Sequence, residues 1–318
     1  MIFKNIALFG ANGQVGDAIL RALVQQEQHE LKILAFIPPG LSLQSHQDDK
    51  RITVKQLDLD KLSRKDLAAD LDGIDAVVSA LNGKALEAQP VIQDAAADAG
   101  VQRYYPSEYG MHNEYRKPGD PWGYIHPMWE LKAQLIEKAV LHPAILSDQM
   151  TFTIIGCGDF YNQDREKVWC PWTQKGVDEY TFHIIGDPDA KAQYTHLDDF
   201  GKYLVATLLD PEVSKNQYLN FPSDTISHTE IAALLEKYSG KSVKKDMISE
   251  DEMHEVVKDP SRAPKEMGNS AFPVDFWFLV KGSQGQGRFL RPPGQNHNHL
   301  FPHIVPTTFE DYFKERFR

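Results

Sequence analysis

The sequence predicts an α/β protein with a doubly wound parallel sheet, followed along the chain by a smaller α+β lobe. Two observations support this fold class. Strand and helix patterns alternate through the first half of the 318 residues, and a glycine-rich turn joins the first strand to the first helix. Strictly alternating strands and helices imply a parallel sheet with helices on both faces. Ligands of such sheets bind at the carboxyl ends of the strands, so we expect the functional residues there.

The first half of the chain contains strand patterns, which are short apolar runs bounded by Gly, Pro or polar residues. Helix patterns with apolar residues at three- and four-residue spacing lie among them. The strands are predicted at 5–10, 31–37, 52–59, 74–81, 101–107 and 151–158, and the helices at 14–26, 64–71, 88–100 and about 127–141.

The second half of the chain is less regular after about residue 160. Ser227 and Glu230 form the pattern of a capping box, which predicts the start of a helix. The stretch 259–306 is rich in Pro, Gly and aromatic residues, has weak periodicity, and is expected to cover a pocket. The predicted elements are a strand at 180–187, a strand, turn and helix within 191–211, and a helix at 227–241.

Composition and charge restrict the class of protein. The formal net charge is −11 and acidic residues are spread along the chain, which favours solubility and argues against nucleic acid as a partner. The two cysteines, Cys157 and Cys170, favour a reducing compartment. No apolar run approaches the roughly 18 residues of a membrane span, and the N-terminus begins with a strand pattern. We therefore expect a cytoplasmic protein, monomeric or homodimeric, that binds no membrane.

The segment GANGQVG lies between the first strand and the first helix. In the dinucleotide-binding fingerprint, glycines at such positions permit a tight turn, let the backbone approach a pyrophosphate and let the helix pack closely on the sheet. The diphosphate then lies at the helix N-terminus. A glycine turn without a ligand is the alternative, but the strand–turn–helix context favours a dinucleotide. The candidate cofactor-binding residues of this turn are Gly10, Asn12, Gly13, Gln14, Val15 and Gly16.

The glycine turn and the pattern of strands and helices together predict two domains. Residues 1–156 are expected to form an NAD(P)-binding domain of the Rossmann type, with 181–210 returning to it. Residues 157–180 and 211–318 are expected to form a substrate-binding lobe, because the regular alternation of strands and helices ends near residue 160.

The end of the second strand bears on the phosphate state of the cofactor. At this position an acid binds the ribose 2′-hydroxyl of NAD, and an arginine accommodates the 2′-phosphate of NADP. The chain has Phe36 there, followed by Ile37 and two prolines, so neither marker is present. Lys50 and Arg51 in the next loop are either phosphate contacts or ordinary solvated charges. The phosphate state is open at this point.

Lys132 stands on the apolar side of its predicted helix. Its neighbours at three- and four-residue spacing are Met128, Trp129, Leu135 and Ile136, where a lysine is unusual. One explanation is a lysine whose stem covers apolar surface while its ammonium group reaches water. The other is a lysine directed into a ligand pocket.

Several segments, taken in order, resemble the isoflavone reductase-like group of atypical short-chain dehydrogenases within the NmrA-like superfamily. This group includes phenylcoumaran benzylic ether reductases and pinoresinol–lariciresinol reductases. PSEYG is close to the family's Pro-Ser-Glu-Phe-Gly, with Tyr109 in place of Phe, and the resemblance covers almost the whole chain. The segments are GANGQVG, RYYPSEYGMH (103–112), WELKAQLIEKAV (129–140), GDPDAKAQYTHLDDFGKY (186–203), SHTEIAALLEKYSGK and FLVKGSQGQGRF with LFPHIVPTTFEDYF.

The resemblance implies an NAD(P)H-dependent reductase of an aromatic or conjugated small molecule. The family's catalytic lysine, in the helix after Pro-Ser-Glu-Phe-Gly, matches Lys132, which is then expected to act as a general acid or base. Ordinary short-chain dehydrogenases have a Tyr four residues before this lysine, whereas this chain has Met128. NADPH is the expected cofactor, and NADH is not excluded.

Further cofactor contacts follow from the same resemblance. The end of the fourth strand passes the cofactor's ribose and diphosphate, and Ser107 follows the fifth strand. Gly158 stands where the family usually has Asn, while Phe160 matches an aromatic residue near the nicotinamide. The remaining cofactor-binding candidates are Phe36, Ala80, Leu81, Asn82 and Lys132.

The substrate pocket is predicted to contain aromatic side chains of the second lobe. Tyr109 and Tyr161 are candidate phenol proton donors, His126 begins the helix of the lysine, and Trp277 lies in the aromatic-rich stretch. Each of these side chains is otherwise explained by ordinary core packing.

No metal site is predicted. His297, His299 and His303 lie close together in sequence, but no acid or cysteine has a matching spacing, which favours a surface or pocket-lining loop.

A function of another class remains as the alternative. A dinucleotide-binding regulator of the NmrA-like type would sense redox state and act through a protein partner without turning over a substrate. The inward lysine argues against it.

Overall fold

The strands lie largely where the sequence predicts them. The computed structural model describes residues 2–110, 126–270 and 272–318, so the end of the RYYPSEYGMH segment lies outside the described residues. The strands are β1 (Asn5–Phe9), β2 (Lys32–Ile37), β3 (Ile52–Gln56), β4 (Ala76–Ser79), β5 (Arg103–Tyr105), β6 (Thr151–Gly156), β7 (Asp159–Phe160), β8 (Glu179–Ile185), β9 (Lys191–Thr195), β10 (Gln217–Asn220), β11 (Asp224–Ser227) and β12 (Ser242–Ile248).

In the first half of the chain most strands are separated by helices, and the capping box predicted at Ser227 and Glu230 is present at the start of the helix His228–Ser239. The helices are α1 (Gln14–Val24), α2 (Arg64–Asp70), α3 (Gln89–Asp98), α4 (Pro127–Val140), α5 (Pro143–Leu146), α6 (Leu197–Leu209), α7 (His228–Ser239), α8 (Glu250–Lys258), α9 (Val274–Gly285) and α10 (Phe309–Arg316).

The large sheet is parallel throughout the described part of the chain and has the order β10-β6-β5-β4-β1-β2-β3. The chain reverses direction along the sheet between β1 and β4, which is where such folds bind ligands. Phe9 at the end of β1 pairs with Phe36 of β2 and with Ser79 of β4, so the loops that follow these strands lie side by side. The predicted doubly wound parallel sheet is confirmed.

The side chains of β1 contribute to two hydrophobic cores, one on each face of the sheet, because successive side chains of a strand point to opposite faces. Ile6 and Leu8 of β1 pack with α1 and α6 on one face. Ala7 and Phe9 pack with α2, α3 and α4 on the other. Helices therefore cover both faces, and both cores are built from apolar residues that the alternating pattern predicts.

Two segments pair differently from the prediction. Within the segment 181–210, predicted to return to the first domain, α6 packs in one core with α1 and β1. The strands of this segment pair within smaller sheets: β8 with β12, and β9 with β7 and β11. Residues 217–220, which were assigned to the second lobe without a predicted element, form β10, which is parallel to β6 at the edge of the large sheet. The pairing of strands depends on packing between residues far apart in sequence, and a local pattern of apolar residues gives no information about it.

Helix α9 lies within the stretch 259–306, for which no regular element was predicted. Most of its residues from Trp277 to Gly285 are buried, so apolar side chains surround much of the helix. A helix buried on several sides lacks the one-sided periodicity by which helices are recognised.

Candidate active site

A cavity of about 500 Å³ opens at the carboxyl ends of β1, β4, β5 and β6. One end is lined by the glycine turn and by the loops after β4 and β5. Helix α4 and the start of β7 line the middle, and aromatic residues of α9 and its neighbouring loops line the other end. The volume lies within the range of ligand-binding clefts.

The glycine turn is tightly packed and leads into a helix whose N-terminus no side chain caps. Gly16 is packed so closely that a Cβ atom there would lie 2.1 Å from the carbonyl oxygen of Gly10. Helix α1 begins after Gly13, and no side chain caps its first-turn amides. An uncapped helix N-terminus at the wall of a cavity is a site for an anion, because its amides and the helix dipole both favour negative charge.

Most of the predicted cofactor-binding residues line this cavity. Gly10, Asn12 and Gly16 do not line it, and Gly16 is packed against the backbone of Gly10. The predicted residues that line it are Gly13, Gln14, Val15, Ala80, Leu81, Asn82, Ser107, Lys132, Gly158 and Phe160.

Phe36, a predicted cofactor-binding residue, does not line the cavity. Its side chain is buried, with its ring stacked on that of Phe9 at a centroid distance of 4.3 Å. Its backbone carbonyl oxygen contacts the glycine turn and accepts hydrogen bonds from the backbone N–H groups of Gly10 and Ala11 at 3.0 and 3.3 Å. An aromatic side chain at this position is retained in the core because apolar burial is favourable.

Arg51, a candidate contact for the 2′-phosphate of the cofactor, is hydrogen-bonded to other groups of the protein. Its guanidinium group donates to both carboxylate oxygens of Asp49, at 2.7 and 3.0 Å, and to the carbonyl of Val24 at 2.8 Å. Hydrogen bonds from Arg51 lower the pKa of Asp49 to about 2. This pair braces the loop before β3 against the end of α1, so it is structural.

Lys132 occupies the inward face of α4, as its spacing predicts. Its ammonium group donates to the carbonyl oxygen of Glu108 at 2.6 Å, and the side chain lines the middle of the cavity. Met128 and Trp129, one turn earlier, also line the cavity, whereas Lys138 is exposed. The carbonyl therefore holds the ammonium group at the cavity wall.

Ser107 connects the loops that follow two neighbouring strands. Its hydroxyl donates to the carbonyl of Leu81 at 2.6 Å, and its backbone N–H donates to Gln89 Oε1 at 2.7 Å. The loop after β4 is thereby fixed beside the loop after β5, which gives the nucleotide end of the cavity a defined shape.

Tyr109 lines the cavity, but its hydroxyl group is not available as a proton donor there. The residue has φ +41°, a conformation uncommon for a tyrosine, and its ring packs edge-on against Phe200 at 4.8 Å. The hydroxyl oxygen is inaccessible to solvent and has no hydrogen-bond partner among the described residues. Burial raises the pKa of Tyr109 well above its ordinary value. This burial gives no support to a phenol donor at this position.

His126 lies at the cavity and caps α4. Its Nδ1 accepts from the backbone N–H of Met128 at 3.2 Å, and its Nε2 lies 3.5 Å from Asp275 Oδ2. Burial lowers the pKa of His126, an effect that Asp275 opposes. The imidazole thereby connects the helix of Lys132 to the start of α9.

Tyr161 and Trp277 lie outside the cavity, contrary to prediction. The hydroxyl of Tyr161 donates to the carbonyl of Thr307 at 2.6 Å, and its ring stacks on Phe309. Trp277 is buried against Phe278. One helical step rotates a side chain by about 100°, so Phe276 lines the cavity and Trp277 does not.

Of the aromatic side chains that line the cavity, Trp169 and Phe276 belong to the aromatic residues of the second lobe that the sequence associates with a planar substrate, whereas Trp129 and Phe272 were not singled out as pocket residues. Trp169 lies 5.0 Å from Phe272 and 5.9 Å from Phe276, measured between ring centroids, and Trp129 lies 5.8 Å from Phe276. We call these four residues the aromatic wall. Val280 and Phe289 continue its apolar surface. Trp129, three residues before Lys132, could have been found from helical spacing alone.

A contact between side chains also joins the glycine turn to the second lobe. Gln14 Nε2 donates to Gln163 Oε1 at 3.0 Å, and Gln163 Nε2 donates to the carbonyl of Phe160 at 2.8 Å. Gln163 and Arg165 both line the cavity and were not predicted. The segment after β7 therefore forms one wall of the cavity beside the N-terminus of α1.

Gly158 has a structural reason to lack a side chain. A Cβ atom there would lie 2.4 Å from the carbonyl group of Gln193 and 2.5 Å from the nitrogen of Tyr194. Its N–H donates to Thr195 Oγ1 at 2.8 Å. The close approach of β9 thus excludes the asparagine that the family usually has.

Two further properties of the described residues concern metal-binding groups and membrane-spanning helices. None of the described histidine, cysteine and acidic side chains form a group of three that could hold a metal ion, and His297 Nδ1 instead accepts from the backbone N–H of Asn220 at 3.0 Å. No described helix combines the length and apolar character needed to cross a membrane.

Comparisons with known proteins agree with this geometry. The model of the NmrA-like family matches residues 3–313. The chain is 23% identical over 313 residues to phenylcoumaran benzylic ether reductase TP7 of Nicotiana tabacum and 26% identical over 323 residues to isoflavone reductase homolog IRL of Zea mays, each covering 97% of both chains.

Among solved structures, the binary complex of leucoanthocyanidin reductase and NADPH from Vitis vinifera superimposes with a TM-score of 0.73. It is 19% identical, with 98% of each chain covered, and supports the fold. The family model spans nearly the whole chain and includes the glycine turn, Lys132 and the second lobe. The chain therefore belongs to the NmrA-like family, as its isoflavone reductase-like segments predict.

Proposed function

We propose that the protein is an NADPH-dependent reductase of a planar aromatic or conjugated small molecule. The observation that carries this proposal is the position of Lys132, whose ammonium group lies at the cavity wall between an uncapped helix N-terminus and an aromatic wall. The relatives support it, since their names are those of reductases and the leucoanthocyanidin reductase structure is a complex with NADPH.

The glycine-turn end of the cavity fits a dinucleotide. The uncapped amides at the start of α1 would hold the diphosphate, and the loops fixed by Ser107 would pass the adjoining ribose. Phe160, at the other side of the cavity, would lie near the nicotinamide. When bound, the reduced nicotinamide supplies a hydride.

Lys132 would move the proton that accompanies the hydride. Its Nζ is oriented by the Glu108 carbonyl at 2.6 Å, which leaves further N–H bonds of the ammonium group for a substrate oxygen or a water molecule. A general acid or base must lie within hydrogen-bond reach of the atom that it serves. The proton transfer is thereby located in the middle of the cavity.

The aromatic wall would hold the substrate and exclude water. Ring pairs and Trp side chains supply a large apolar contact area and prefer offset or edge-to-face packing with another ring. We propose that the segments that carry Trp169, Phe272 and Phe276 belong to a substrate-binding lobe, whereas Trp129 lies on α4 of the Rossmann-type part of the chain, which binds the nucleotide.

The test of this function is a titration of the purified protein with NADPH and NADH, followed by nicotinamide fluorescence. We expect NADPH to bind at micromolar concentration. NADH is titrated in parallel, and the ratio of the two affinities measures any contact to the 2′-phosphate, to which Phe36 and Arg51 contribute no side chain. A panel of aromatic ketones, enones and benzylic ethers then identifies the bond reduced. The absence of NADPH binding at sub-millimolar concentration would refute the proposal.

A further inference from the structure

Beneath the aromatic wall lies a buried ion pair that the proposed reaction does not use. Lys281 Nζ donates to Asp159 Oδ2 at 2.7 Å, and the two side chains are 4% and 7% exposed. Gln284 Nε2 donates to the same oxygen at 2.8 Å, and the indole Nε1 of Trp169 donates to Asp159 Oδ1 at 2.7 Å. Both carboxylate oxygens are therefore occupied, and one of these hydrogen bonds holds a ring of the aromatic wall.

The energetics of such a pair point to a role in positioning. Two charges removed from water recover their desolvation cost only when their geometry is good and their other hydrogen-bonding groups are satisfied. An apolar pair of similar volume is often as stable or more stable. The pair of Lys281 and Asp159 is therefore weak evidence for stability, whereas its hydrogen bond to the indole defines where Trp169 lies.

Helix α9 connects this pair to the cavity. Phe276 and Val280, four residues apart, line the cavity, while Lys281 and Gln284, three apart, contact Asp159. The ammonium group of Lys281 also lies 5.2 Å from the centroid of the Trp169 ring, within the range of a cation–π contact. The orientation of the indole plane and the placement of α9 are thus set by the same group.

We propose that Lys281 and Asp159 are positioning residues that hold Trp169 ready to contact a planar, uncharged aromatic ring of the substrate. Asp159 itself lines the cavity, and Lys281 balances its negative charge, so the wall offers aromatic faces without a net charge. The inference rests on the proposed function for the role of that ring as substrate. Binding of a ring is measurable without turnover.

The experiment uses 2-naphthol as a neutral, planar probe. Its dissociation constant is measured by calorimetry, that of NADPH by fluorescence, and KM and kcat are measured with the best substrate of the panel. Lys281→Met should weaken 2-naphthol about tenfold and raise KM by a similar factor, with kcat changed less. NADPH affinity should stay within about twofold, because the glycine turn lies at the other end of the cavity. Lys281→Arg, which keeps the cation, should restore most of the affinity.

A double variant tests the proposal even if Lys281→Met, which leaves a buried carboxylate without its cation, fails to fold. Asp159→Asn combined with Lys281→Met removes both charges and keeps an amide oxygen that accepts from the indole. It should bind 2-naphthol within about threefold of the wild type. A folded double variant that stays about tenfold weaker would overturn the proposal.

Arg103→Met is the matched control, since it also removes a buried cation. Arg103 bonds to neutral oxygens at the amino end of β5, among them Thr153 Oγ1 at 2.7 Å, and does not line the cavity. Its removal should lower stability without changing 2-naphthol binding. Equal effects of Arg103→Met and Lys281→Met, or no effect of Lys281→Met, would overturn the proposal. A wild type that binds 2-naphthol but not NADPH would refute the reductase function alone.

Discussion

The position of Lys132 follows from helical spacing, and the direction of its ammonium group is set by a hydrogen bond to a backbone carbonyl group. The spacing places it beside Met128 and Trp129, and all three line the cavity. The hydrogen bond to the carbonyl of Glu108 then brings the ammonium group to one point of the wall. A lysine that merely covered apolar surface would extend its ammonium group into bulk water instead.

Replacement of Lys132 by methionine tests its role directly. Lys132→Met should lower kcat about 100-fold or more, because positioned proton transfer contributes at least that factor. NADPH affinity should change little, since the diphosphate end of the cavity is retained. Lys138→Met, on the exposed side of the same helix, should leave kcat unchanged. Full activity of Lys132→Met would argue against a proton-transfer role and revive the redox-sensor alternative.

The aromatic residues show where single-residue prediction fails. Tyr161 was selected as a candidate phenol donor and Trp277 as an aromatic residue of the second lobe, but both are buried outside the cavity. Phe276, adjacent to Trp277, is the residue that contacts Trp129, Trp169 and Phe272. Composition identifies an aromatic lobe, whereas the direction of each ring depends on the phase of its helix or loop.

At the scale of elements, the approach of β9 to the loop after β6 decides the identity of residue 158. Strand β9 was predicted to return to the first domain, but it pairs with β7 and β11. This arrangement brings the backbone of Gln193 and Tyr194 within 2.5 Å of where a Cβ of Gly158 would lie. A side chain at this position would have to displace a strand.

Gly158→Asn would introduce the residue usual in the family. We expect it to lower the free energy of unfolding by about 1–3 kcal/mol through overpacking and to weaken cofactor binding. Denaturant unfolding and NADPH titration measure the two effects. Gly268→Ala is the control, because no atom lies within 4 Å of its added Cβ. A stable variant with improved NADPH binding would contradict this account.

At the scale of the whole molecule, burial of His228 makes the stability depend on pH. Its Nε2 lies 3.1 Å from Gln284 Oε1, and its Nδ1 has no hydrogen-bond partner among the described residues. Burial, with a smaller effect of Lys281, lowers the pKa of His228 from 6.5 to about 4. Between these values the unfolded chain binds a proton that the folded chain does not, so stability falls as the pH falls.

The expected loss is about 3 kcal/mol between neutral pH and about pH 4, with no further loss from this group below its folded pKa. His228→Phe should remove this part of the pH dependence, measured as the difference in unfolding free energy at the two pH values. His303→Gln, at an exposed histidine, serves as the control. An unchanged pH dependence in His228→Phe would show that other groups account for the acid sensitivity.

The sequence by itself determined the parallel sheet, the glycine turn and the inward lysine, because each depends on residues close together along the chain. Periodicity identifies β1 to β6 and α1 to α4, and helical spacing places Lys132 beside Met128. Only the tertiary structure decided the partners of β8, β9 and β10, the burial of Phe36 and the hydroxyl of Tyr109, and the ion pair beneath Trp169. These features join residues far apart in sequence, so they depend on packing between elements, which local patterns do not specify.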